Sequence, residues 1–193
     1  MDFEYFHNLS AGEAKDFLSD FLRVGARRFP EFAEVRLQGG ILCDFSIPSI
    51  APVMTSLLPK MVRILLEPDL SVPPWIRDTD SYRNDHFDFD SASKELIVTT
   101  SYYLGECFIR SFPSLRWATG KHGMAQMNMP VVTGFTHEKE MAVMMVAENI
   151  FAAALANPAE KAEIEKTVNF WTEFVSTNTP SMRKRDRTAR SKE

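Results

Sequence analysis

Apolar residues recur at three- and four-residue intervals in several stretches of this chain, and each such stripe predicts a helix with one buried face. The clearest covers 91–111. Leu96, Thr100, Tyr103 and Cys107 form one row and Leu104 and Phe108 the next, with Asp90 or Ser91 as the entering cap and Pro113 as the stop. Along its flank lie Thr99, Tyr102, Glu106 and Arg110, spaced so that Glu106 can meet Arg110 one turn on and Tyr102 one turn back. Gly105 sits mid-helix at up to about 1 kcal/mol against alanine, which points to a neighbour approaching the backbone closely. Beyond Pro113, residues 115–118 and 130–135 read as two short strands around a turn rich in Gly120, Gly123 and Asn128. A helix followed by an antiparallel hairpin packed on it is the predicted centre of the fold.

The other elements follow the same logic. Ser10 and Glu13 form a capping box before a helix over 11–29, whose inner face is Ala14, Phe17, Leu18, Phe21, Leu22 and Gly25 and which Pro30 ends. Val35 and Leu37, then Gly39 and Gly40, then Ile41, Cys43 and Phe45 alternate as a β-hairpin over 32–46 would. Residues 49–58 suit a short helix with Pro52 in its first turn. Residues 61–66 are an apolar run interrupted by Arg63, after which Pro68, Pro73 and Pro74 keep the chain extended or turning and Trp75 and Ile76 are expected to pin it to the body. Thr136 opens a methionine-rich helix over 137–155. Asn157, Pro158 and Glu160 open a last one over 158–176, with Ile164, Val168, Trp171 and Val175 as its docking stripe and Phe170 and Phe174 beside it. The predicted class is α+β: one domain over 1–179, a small antiparallel sheet packed against several helices.

Composition narrows this picture in two places. With 193 residues, 45% of them hydrophobic, one domain can bury a real core. Charge is uneven: 180–193 hold six basic and two acidic side chains, near +4, so the net −4 of the chain leaves its body near −8. That tail reads as a mobile, solubilising segment; it is a poor nucleic-acid reader on an acidic body. Cys43 and Cys107 lack metal-ligand spacing, the N-terminus has no secretory pattern and no run approaches the ~18 apolar residues of a membrane span, so a reducing, cytoplasmic setting is the expectation.

Candidate chemistry is sparse. The stretch from Arg77 to Asp90 carries Asp78, Asp80, Asp85 and Asp88 around His86; carboxylates with an imidazole suit a metal, but a solvated turn with Asp90 as a cap explains the same residues, and no metal or cofactor is expected. Cys107 falls on an apolar stripe, where cysteine acts as a small hydrophobe rather than a nucleophile. His122 and His137 flank the second strand of the hairpin and are the remaining base candidates. The phosphate-loop, dinucleotide, nucleophile-elbow and zinc-protease signatures are missing.

The run SYYLGECFIRSFPSLRW followed by NMPVVTGF and a helix resembles a pattern in small, mostly uncharacterised bacterial proteins, some of them suspected toxin-immunity proteins. The likeness covers roughly 75–155. It implies a small α+β domain without known enzymatic activity; for an immunity-type inhibitor, the acidic body would complement a basic toxin.

Two functional readings stand. The first is a non-enzymatic protein that binds another protein through an acidic face, Asp78, Asp80, Asp85 and Asp88, with Trp75, Tyr82 and Phe87 as aromatic anchors and electrostatic steering of the partner. The second is a small hydrolase or transferase that brings the acidic 78–90 segment together with Tyr102 and Glu106. In either, Glu106 and Arg110 are expected to form a structural pair.

Overall fold

The computed structural model describes residues 3–36, 40–79, 86–156 and 161–175. Asp80, Tyr82, Asp85, the helix-start signal at 157–160 and the basic tail lie outside them.

Ser91–Ser111 forms the central helix, here α5, after α1 (Glu4–His7), α2 (Ala11–Arg36), α3 (Ile47–Leu57) and α4 (Pro74–Arg77). Its entry is set by Asp90, whose side chain accepts from the Ser93 amide at 2.7 Å. Leu96, Ile97, Tyr103, Leu104, Cys107 and Phe108 are all buried, because α2, α3 and α6 (Val143–Ala156) pack around it. α7 (Lys161–Glu173) closes the far side against α3 and α6 with Ile164 and Val168 buried, while Trp171 and Phe174 are half-buried and Phe170 exposed. Two antiparallel sheets complete an α+β domain. β1 (Arg63–Leu65) pairs with β2 (Phe87–Phe89) just before α5, and β3 (Arg116–Thr119), β4 (Pro130–Thr133) and β5 (Glu140–Ala142) form a three-stranded sheet in that order.

Four elements differ from the sequence reading. Pro74–Arg77 is a turn of helix where the prolines predict extended or turning chain, because a proline in the first helical turn lacks only an amide that would go unbonded there. α2 runs through Pro30 to Arg36, with Pro30 inside it. An interior proline costs about 3 kcal/mol; here Phe29 stacks on Tyr103 at 4.6 Å and Phe32 is buried beside it, so packing on both sides of the proline holds the helix together. Residues 32–36 are therefore helix rather than the first strand of a hairpin, and 40–46 cross α5 as irregular chain, with Phe45 packed against Tyr103. Finally, 137–142 do not begin the α6 helix. His137 and Glu138 have φ of 56° and 53°, a left-handed conformation that no helix continues through, and Met141 sits on β5 opposite Val132. Thr136, expected to cap that helix, donates both its amide and its hydroxyl to the Phe174 carbonyl and so fastens the end of α7 to the sheet.

Candidate functional site

The residues nominated from sequence fall in two places about 24 Å apart along α5, at 1.5 Å per residue. The acidic segment is at its N-terminal end and Tyr102, Glu106 and Arg110 are toward its C-terminal end. Asp88 and Glu106 therefore do not share a cleft.

At the C-terminal end Glu106 has both carboxylate oxygens engaged. Arg110 Nε donates to one at 3.0 Å and Trp117 Nε1 on β3 donates to the other at 2.9 Å. Arg110 lies in turn over the Phe45 ring, 3.8 Å from its centre. The expected pair is thus a four-residue clamp joining α5, β3 and the 40–46 chain. Tyr102 points elsewhere: its ring is buried against Gly25 of α2, and burial first, then the Glu106 charge, raise its phenol above the ordinary range. It forms part of the floor of a groove of about 250 Å³ between α2 and α5, walled by Phe17, Phe21, Val24 and Val98. The charged rim of this groove is tied up in ion pairs, Asp20 with Arg23 at 2.8 Å and Glu95 with Arg28 at 3.2 Å. Cys107 is fully buried and desolvation pushes its thiol up to about 12, the opposite of an activated nucleophile. Among the described residues no group of three or more His, Cys, Asp or Glu is placed to hold a metal ion.

The N-terminal end of α5 is different in character. Asp88 is salt-bridged to Lys94, and its second oxygen accepts from the Phe89 amide at 2.8 Å. Burial raises its pKa, the lysine and the amide lower it, and the net lies below the ordinary carboxylate value. Asp88 is thereby committed to holding the start of α5. Phe87 is half-buried under the Arg63 guanidinium, 5.2 Å from its ring centre, and edge-on to Phe89. Asp78 is exposed.

What the sequence reading missed is the apolar surface beside these carboxylates. Trp75 and Ile76, expected to pin the segment down, are 75% and 45% exposed. Leu65 is 75% and Leu70 81% exposed, and Val62, Ile64 and Leu66 are also open. All seven lie between positions 62 and 76. Single exposed apolar residues need no explanation, whereas a concentration of them along one segment calls for one. Glu67, Asp69 and Asp78 border it, with Asp69 capping a tight turn by accepting from the Ser71 amide and hydroxyl at 2.9 and 2.7 Å. The only warning in the sequence is the density of proline, which keeps the chain from Leu66 to Pro73 out of a long amphipathic helix and leaves only the single turn of α4 for Trp75 and Ile76. No helix among the described residues is long and apolar enough to cross a membrane.

No protein-family model matches the chain, and comparisons with curated proteins and with solved structures find no match.

Proposed function

We propose that this chain is a non-enzymatic binding protein that docks another protein on its 62–78 segment. The observation carrying this reading is the exposure of Trp75 together with Leu65 and Leu70, large apolar side chains left in water between borders of Glu67, Asp69 and Asp78. Interface energy concentrates in a few aromatic and aliphatic anchors inside a polar rim, and this segment has that composition. A partner with an apolar centre and a basic rim fits it, and the acidic body, near −8, would speed its approach. A basic toxin, with this chain as its immunity-type inhibitor, is the class of partner favoured. Asp78, exposed beside the segment, contributes to the steering. Asp88, held by Lys94, acts as scaffold within it.

The test is capture from a host lysate by the full chain, alongside a Leu70→Ser/Trp75→Ala variant whose folding is checked by circular dichroism. A defined basic protein retained by the wild type and lost by the variant supports the reading. Equal retention of the same proteins by both refutes it.

A further inference from the structure

The two-stranded sheet has an open edge whose chemistry is self-complementary. The Leu66 amide donates to the His86 carbonyl at 3.3 Å and the Asp90 amide to the Val62 carbonyl at 3.2 Å, with Ile64 opposite Asp88 between them. Positions 62, 64 and 66 thus turn their backbone groups toward β2. Antiparallel alternation turns the amides and carbonyls of Arg63 and Leu65 the other way, to an edge that no strand among the described residues covers. Proteins usually protect such edges with charge, proline or cover. Here the edge carries Leu65, the most exposed side chain of its strand.

We infer that this edge pairs with β1 of a second copy of the chain, antiparallel about a two-fold axis at Leu65. Centring on any of the three residues of β1 lets the outward backbone groups bond, and centring on Arg63 sets the two guanidiniums against each other. Centring on Ile64 pairs Ile64 with Ile64 and Val62 with Leu66 but sets Arg63 against leucine and Glu67 against Met61, leaving both charges without an opposite. Centring on Leu65 sets each Arg63 against the second copy's Glu67, twice by symmetry, with Leu65 against Leu65 on that face and Ile64 against Leu66 on the other. Charge chooses the Leu65 register, which also keeps apolar residues paired on both faces. The result is a four-stranded sheet in the order β2, β1, β1, β2. Its area is small against the roughly 1,200 Å² of a stable interface, so the dimer is weak and concentration-dependent.

The consequence rests on the proposed function: a dimer presents the Leu70 and Trp75 surface twice, so a partner with two sites, or a surface bearing many, is held by avidity. Dimerisation itself needs no partner, so the two ideas fail separately.

Sedimentation equilibrium of the purified full chain over a range of concentrations reads the dimer directly. Arg63→Glu and Glu67→Arg each set like charges opposite one another and should weaken the dimer by about tenfold or more, while the double variant, which exchanges the charges, should restore it to within about threefold of wild type. Leu65→Asp should leave a monomer with an unchanged circular dichroism spectrum. A wild type that stays monomeric at every concentration, or a double variant as weak as the single ones, overturns the proposal.

Discussion

Trp117 and Glu106 are locked together: the indole of β3 donates to the carboxylate of α5 at 2.9 Å, while the same ring lies against the bare backbone of Gly105 one residue earlier. Helix and sheet are thus joined through one side chain that is at once a packing element and a hydrogen-bond donor. Glu106 is only 16% exposed, so its removal leaves the indole N–H and the Arg110 charge uncompensated. Glu106→Ala should lower stability by about 1–3 kcal/mol. Glu106→Gln keeps an acceptor for Trp117 and should lose less. Urea unfolding of both variants checks this, and equal losses would remove the indole bond from the account.

Gly105→Ala tests the other half of the joint. In a free helix alanine would gain up to about 1 kcal/mol, yet a methyl here meets the Trp117 ring, which is held by Glu106 and packed on Phe21. The expected outcome is a net destabilisation of about 1–3 kcal/mol. A stabilised variant would show that the ring moves aside freely.

The same helix shows how far sequence pattern carries. Its limits, its buried row, the close approach at Gly105 and the Glu106–Arg110 pair all follow from three-and-four spacing and one glycine, since these are local properties of a helix that is buried on most sides. Pro30 misleads because a local rule predicts a stop while Tyr103, distant in sequence, packs on Phe29 beside Phe32 and keeps α2 continuous. β5 is illegible for a related reason: Met141 and Ala142 continue the apolar spacing of α6, which starts at the next residue, and it is pairing with β4 rather than any local signal that makes them strand. The candidate surface was half legible. Its carboxylates and Trp75 stand out in sequence, but an apolar run such as 61–66 reads alike whether buried or open.

Cysteine reactivity offers a pH-resolved check. Burial pushes the Cys107 thiol up to about 12, and burial followed by the Asp44 charge raises Cys43, which is half-buried. Native protein should be alkylated first at Cys43, with Cys107 modified only through global unfolding, read by mass spectrometry. The sign for stability follows: an unfolded thiol ionises near 8.5 and the folded Cys107 near 12, so the unfolded state binds fewer protons in between. Stability is full below about pH 8.5 and falls as pH rises through that window. Cys107→Ala should flatten this decline, and rapid native alkylation of Cys107 would contradict its burial.

The surface between Val62 and Asp78 should be dispensable to the fold, because its large apolar side chains are exposed. Leu65→Ser, Leu70→Ser and Trp75→Ala should each change unfolding free energy by no more than about 0.5 kcal/mol while reducing binding of an apolar dye. A loss of several kcal/mol at any one of them would make that residue structural.

Hydrogen–deuterium exchange of the full chain, alone and saturated with its captured partner, tests the central claim most directly. The account predicts slowed exchange concentrated within 62–78 at Leu70 and around Trp75, with the α2–α5 groove near Gly25 and Val98 unchanged. Protection confined to that groove, with 62–78 exchanging as fast as in the free chain, would contradict it.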